Sequence, residues 1–315
     1  LTNKFIPEFI IMRIVIIGAT GFIGSRLFSF LDKEEYDLTV VTRDTESARE
    51  QLGDHAEFCS WDGENSEELD KIFKGAWAVI NLAGESLSGG RWTEARKERI
   101  LKSRLTTTRA VVEAINRAET KPHVLMQASA IGYYGSQPKA TLDEDSAAGN
   151  NFLAHVTQQW EAATAGLDES VRLVIFRTGI VLGTAGGALP QMAMPFRFGV
   201  GGRIGSGKQW FSWIHLDDEV RAIQFLLENK EASGVYNLTA PEPAKMKTVA
   251  KELARVLHRP NWLHIPKFLI RLVMGQMGDE MLLASQKVIP KRLEEEGFSF
   301  HFKDLRLALT NIYNS

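Results

Sequence analysis

The sequence predicts an α/β fold, a doubly wound parallel sheet with a smaller C-terminal part intertwined with it. Two observations carry this. Short apolar runs at 13–17, 37–42, 56–59, 77–82, 123–129 and 171–177 alternate with stretches of helical period such as 22–33, 94–118 and 153–165. That alternation gives parallel strands joined by helices that cover both faces of the sheet. Several of the runs, "RIVIIG", "HVLMQAS" and "RLVIF", are apolar almost throughout, as strands buried on both faces should be.

The elements follow in order. Met12-Arg13 opens the first strand, and residues 1–11 read as an extension to which no function is assigned. The run "FIIMRIVIIGATGFIG" is broken by Arg13 and by glycines, so it predicts neither a membrane span nor a cleaved signal. After Gly183 the texture changes: residues 183–209 are rich in glycine, with Met, Phe and Pro interleaved, and read as loops around one short helix. Beyond them the chain reads as mostly helical. The expected organisation is a nucleotide-binding part over 12–180 and a substrate-side part over 181–315, with some of the later chain returning to the sheet.

Composition narrows the function. The chain has 315 residues, 44% hydrophobic and 24% charged, a balance that supports a full core. A formal net charge of −2 offers no bulk field for nucleic acid or an anionic membrane, so the expected partner is a small molecule. Cys59 is the only cysteine and cannot form an internal disulfide, which fits a reducing, cytoplasmic setting. No Cys/His cluster suggests a metal.

The chemistry starts at "GATGFIG". Gly18, Gly21 and Gly24 follow a strand and open a helix. The first glycine permits a tight turn, the second lets a pyrophosphate approach the backbone, and the third lets helix pack on strand. The helix N-terminus then offers free N–H groups to phosphate. About twenty residues on, a dinucleotide-binding chain usually carries an acidic residue for the ribose 2′-hydroxyl. Here Thr42 and Arg43 stand in that place. A guanidinium pairs with a 2′-phosphate that a carboxylate would repel, so the expected cofactor is NADP(H). Asp62 of "SWDG" stands where a carboxylate could accept from the adenine amino group, and Arg104 of "LKSRLTTTRAVVEA" where a cation could reach the pyrophosphate. A helix cap and a solvated charge are the competing readings for these two. The stretch "VINLAG" ends the fourth strand in small residues over which a cofactor can lie.

These motifs, with "SAIGYYG", "FRTGIVLG", "WIHLDDEVRAI" and "GVYNLTAPEP" in order, resemble the extended short-chain dehydrogenase/reductases of the epimerase type. "NLAGESL…RWTEARKERILKSRL", "FRFGVGGRIGSGKQWFSWIHLDD" and "LLASQKVIPKRLEEEGFSF" are similar to one atypical subfamily. It is classed with nucleoside-diphosphate-sugar epimerases and carries a C-terminal segment of unknown function. The resemblance implies a Rossmann sheet holding NADP at the carboxyl ends of its strands, and a substrate held by the C-terminal part. It implies cofactor contacts from Gly18, Thr20, Gly21, Phe22, Ile23 and Gly24, from Thr42, Arg43 and Asp62, and from Leu82, Ala83, Gly84, Arg104, Ser129 and Ile180.

One departure stands out. The superfamily's proton transfer uses a serine or threonine and a Tyr-x-x-x-Lys pair on one helix face. "NNFLAHVTQQWEAA" has neither Tyr nor Lys: Phe152 or Leu153 falls at the first position and Val156 or Thr157 at the second, with His155 the only titratable group from Phe152 to Gln159. The usual serine position is Ala130, and Ser129 precedes it. Tyr133 of "GYYG" is then the best remaining proton donor, with Ser129 beside it, while Tyr134 matches a tyrosine that is mostly structural in ordinary relatives. A phenol with no lysine beside it donates a proton better than it accepts one at neutral pH. Trp210, Phe211, Trp213 and His215 would line a largely apolar substrate pocket, against ordinary core packing for about half of them. Two functions remain in play: an NADP(H)-dependent oxidoreductase or epimerase with a rearranged acid/base, acting on a sugar nucleotide or another carbonyl compound, and a non-catalytic NADP(H)-binding sensor or regulator. Oligomerisation stays open.

Overall fold

The computed structural model describes residues 12–34 and 36–314; the extension 1–11 lies outside them. Seven strands form one sheet: β1 Arg13–Ile17, β2 Asp37–Thr42, β3 Glu57–Ser60, β4 Ala78–Asn81, β5 Val124–Ala130, β6 Arg172–Thr178 and β7 Gly234–Leu238. Their order is β3-β2-β1-β4-β5-β6-β7, and every neighbouring pair is parallel. The order reverses at β1, so the crevice beside the carboxyl ends of β1 and β4 is the expected ligand position. The six strands expected from sequence are present within a residue or two of their expected bounds. The seventh, not among the strands read from sequence, comes from the otherwise mostly helical C-terminal part: "GVYNL" is too short for its period to separate strand from helix, and only pairing with β6 makes it a strand.

The helices are α1 Phe22–Asp32, α2 Thr45–Leu52, α3 Ser66–Ile72, α4 Glu94–Arg117, α5 Phe152–Ala162, α6 Leu189–Arg197, α7 Leu216–Glu228, α8 Met246–Val256, α9 Lys267–Met274, α10 Gln276–Met281, α11 Lys291–Glu295 and α12 Leu305–Asn314. Alternation along the strands splits the core in two. Ile14 and Ile16 of β1, with Leu38, Ile80 and Met126, pack on Leu27 of α1 and Ile223 of α7. Val15 and Ile17, with Val41, Val79 and Leu125, pack on Leu69 of α3 and Val111 of α4. Each buried aliphatic side chain contributes roughly 1.5–3 kcal/mol, so both faces of the sheet are fastened to the helices that carry the site.

A third core holds the C-terminal part together, with Phe196, Phe211, Trp213, Met246, Leu253 and Leu309. The glycines of 183–187 are not simply loop residues. The ring of Phe22, at the start of α1, lies against them, and a Cβ at Gly183, Gly186 or Gly187 would come within 3.0 Å of it. That contact docks the segment after β6 onto the first turn of α1. No described helix is long and apolar enough to cross a membrane.

Candidate cofactor and catalytic site

The glycine turn is built as its spacing predicts. Gly18 has φ +88°, and a Cβ there would press within 3.1 Å on the backbone of Leu82 and Ala83. A Cβ on Gly24 would overlap the Gly18 carbonyl, so α1 can pack this closely only on a bare backbone. Gly21 caps α1 with no side-chain hydrogen bond, which leaves the N–H groups of the first turn free for an anion.

Beside this turn lies a cavity of about 450 Å³, lined among others by Ile17, Thr20, Thr42, Arg43, Asp62, Ala83 and Gly84. Three cations, Arg43, Arg99 and Lys102, face into it. Arg99 lies 3.9 Å from Glu85 and Lys102 lies 3.4 Å from Glu64. Among the described residues Arg43 has no such carboxylate. Asp44, its neighbour, is turned into the cap of α2, where its side chain accepts from the Ser47 N–H.

The other predicted positions divide. One oxygen of Asp62 accepts from the N–H groups of Glu64 and Asn65. Those bonds, Asn65 first, hold its carboxyl below the usual range. The cap of α3 is Asn65; Asp62 closes the turn just ahead of it and also lines the cavity. Arg104 requires a correction. Its guanidinium is buried under the loop, donating to the carbonyls of Glu85 and Ile100 and lying 4.8 Å over the Trp160 ring. A Cβ on Gly84 would meet it at 3.1 Å. Burial pushes its pKa down to about 10. On α4, position 104 is turned well away from the face that carries 99, 102, 103 and 106. Those residues line the cavity instead. Sequence reading missed them, although Arg99, Lys102, Ser103 and Thr106 recur at helical spacing as a polar stripe. Ile23 is half-buried on α1, packed against the sheet core. Ile180 belongs to a short strand paired with 213–215 and packs on the third core.

The carboxyl ends of β5 and β6 look different. Ser129 Oγ donates to Glu161 Oε1 at 2.6 Å, and Arg177 holds the same carboxylate through two 2.8 Å bonds. Arg177 also donates to the Tyr134 hydroxyl, which donates in turn to Asn237. Tyr134 is fully buried, and burial pushes its pKa up to about 12. Ser129 is 4% exposed and its proton is committed to Glu161, so it cannot serve as the substrate's hydrogen-bond donor. That corrects its candidacy as a catalytic group. Tyr133 is half-buried, and the Arg177 guanidinium lies 3.4 Å from its ring centroid. Among the described residues its hydroxyl has no hydrogen-bond partner. Gly132, just before it, faces α5, where a Cβ would meet Leu153 at 3.3 Å and Thr157 at 3.8 Å. Leu153 and Thr157, four residues apart on α5, thus turn their side chains toward this turn. His155 points to solvent.

The expected apolar pocket at 210–215 also needs correcting. Phe211 and Trp213 are core residues. His215 caps α7 by accepting from the Asp217 N–H, and it stacks on Phe302 at 3.9 Å. Only Trp210 stays partly exposed, with the Lys245 ammonium 3.4 Å from its ring centroid. Strand alternation and the cap together bury the rest.

A model of the NAD dependent epimerase/dehydratase family matches residues 14–239. The chain belongs to that family. Residues 265–312 match a domain of unknown function, DUF1731. The epimerase family protein YfhF of Bacillus subtilis is 38% identical over 303 residues, covering 96% of this chain and 98% of that protein. The chloroplastic SDR39U1 homolog of Arabidopsis thaliana is 40% identical over 303 residues, covering 96% and 86%. The crystal structure of human epimerase family protein SDR39U1 with NADPH matches with a TM-score of 0.87 at 34% identity, covering 96% of this chain and all of that one. The UDP-glucose 4-epimerase of Thermotoga maritima shares the fold, with a TM-score of 0.78 at 18% identity over 96% and 98% of the two chains.

Proposed function

We propose that this epimerase-family chain binds NADP(H) in the cavity beside β1 and reduces the carbonyl group of a small molecule, with Tyr133 donating the proton. The observation that supports it most is Arg43, a cavity-facing cation with no carboxylate partner among the described residues. The other two cations on that wall have carboxylates beside them. A 2′-phosphate would pair with Arg43 and take a hydrogen bond from Thr42, while the free first-turn N–H groups of α1 would take the pyrophosphate. The human relative solved with NADPH supports the same choice of cofactor.

When bound, the reduced nicotinamide supplies a hydride to the carbonyl carbon. Tyr133 then gives its phenolic proton to the carbonyl oxygen, and solvent restores it. Arg177 holds the ring of Tyr133 in place by stacking. Ser129 and Glu161 are positioning residues that fix Arg177.

A second reading, cofactor binding without turnover, draws on one observation: Leu153 and Thr157 occupy the face where the family's proton-transfer pair would stand. Titration of the protein's effect on nicotinamide fluorescence tests the cofactor. NADPH should bind about ten- to a hundredfold more tightly than NADH; equal dissociation constants would overturn the assignment. A screen of NADPH oxidation against aldehydes, ketones and sugar nucleotides then separates the two readings. Oxidation with any of them supports reduction, and none supports sensing.

A further inference from the structure

Among the described residues, the large hydrophobic side chains left exposed are not scattered. Apart from Met12 and Leu307, they fall in two segments: Met194, Phe198 and Val200 in one, and residues from Trp262 to Val273 in the other. The two segments are neighbours. Strand 263–265 pairs with 202–204, and Trp262 Nε1 donates to the Gly199 carbonyl at 3.2 Å. Helix α9 buries only Ile270, while Phe268, Leu272 and Val273 are 65%, 69% and 67% exposed. Single exposed apolar residues are ordinary, but a joined set of this size marks an interaction surface.

Charge identifies what it meets. Residues 191–208 and 255–275 contain Arg197, Arg203, Lys208, Arg255, Arg259, Lys267 and Arg271 and no Asp or Glu. All seven are exposed. Arg255 and Arg271 reach carboxylates elsewhere, at Glu252 and Asp279; the other five have no ion-pair partner among the described residues. The formal net charge of −2 conceals this local excess. A second copy of the chain would bring the same cations against one another across a two-fold axis. An apolar helix face bordered by an excess of cations, with Asp279 and Glu252 already paired to two of them, suits a sheet of anionic headgroups over hydrocarbon.

We infer that the face formed by α9, Trp262 and the 194–200 segment docks on an anionic lipid bilayer, with Phe268 and Leu272 entering the headgroup boundary and Lys267 among the cations that contact phosphate. None of these residues lines the nucleotide cavity, so a docked protein keeps that cavity open.

Cosedimentation with sucrose-loaded vesicles tests this. Vesicles of equal parts phosphatidylcholine and phosphatidylglycerol should pull the protein down, and molar salt should release it. Vesicles of phosphatidylcholine alone should not bind it. The double variant Phe268→Ser/Leu272→Ser should weaken binding at least about tenfold, and Lys267→Gln about fivefold. Both should bind NADPH as the unmutated protein does, which confirms their folding. No pull-down by the mixed vesicles, or equal pull-down by neutral ones, would overturn the inference. So would a dimer in sedimentation equilibrium that the double serine variant dissolves, or capture by immobilised polyglutamate with no vesicle binding.

Discussion

The two ends of this site handle charge in opposite ways. At the nucleotide end, Arg43, Lys102 and Asp62 sit on the rim of an open cavity, solvated and only partly paired. At the β5–β6 end, Arg177 and Glu161 are sealed together, with side-chain exposures of 4% and 12%, and every hydroxyl near them except Tyr133's is committed. An open end can exchange its water for a ligand at little cost. A sealed end can only hold a shape. That second end is built mainly as a support, with the Tyr133 hydroxyl left unpaired among the described residues.

Breaking the support should have the largest effect. Arg177→Leu strands the Glu161 carboxylate in a dry site and should cost about 3–5 kcal/mol of stability, measured by urea denaturation. A loss below about 1 kcal/mol would mean that water already reaches the pair. Next is Tyr133→Phe, which should slow carbonyl reduction about 10²–10⁴-fold with NADPH affinity unchanged; unchanged turnover would reduce Tyr133 to a packing role. At the open end the effect is smaller. Arg43→Ala should weaken NADPH by about 1.5–3 kcal/mol and leave NADH as it was, so the preference between them disappears.

Counted per pH unit, the smallest effect is a slope in stability. Glu219 on α7 is fully buried, accepts from Thr178 Oγ1 at 2.7 Å and has a second oxygen without a partner. Burial raises its pKa from 4.5 to about 8. The folded state therefore binds this proton more tightly than the unfolded chain. Its contribution is fully present below about pH 4.5 and is lost as pH rises through about 8. Stability should fall across that window by on the order of 1 kcal/mol per pH unit. Glu219→Gln should flatten the slope and be the more stable protein at the alkaline end. An unchanged slope in Glu219→Gln would assign it to other groups.

The legible part of the molecule is the part encoded locally. Six strands, the glycine turn and the Thr42–Arg43 pair could be read because each depends on residues a few positions apart: a period, a positive φ, a strand end. What escaped depended on residues far apart in the chain. Sequence could not say that Arg104 turns under Gly84 while Lys102 faces the cavity, because that requires the roll of α4 on the sheet. Nor could it say that Ser129 gives its proton to Glu161, thirty-two positions away, or that "GVYNL" adds a strand beside β6. Local pattern determined the cofactor end of this protein. Long-range packing, which decides which side chains lose their water and to which partner, determined the β5–β6 end.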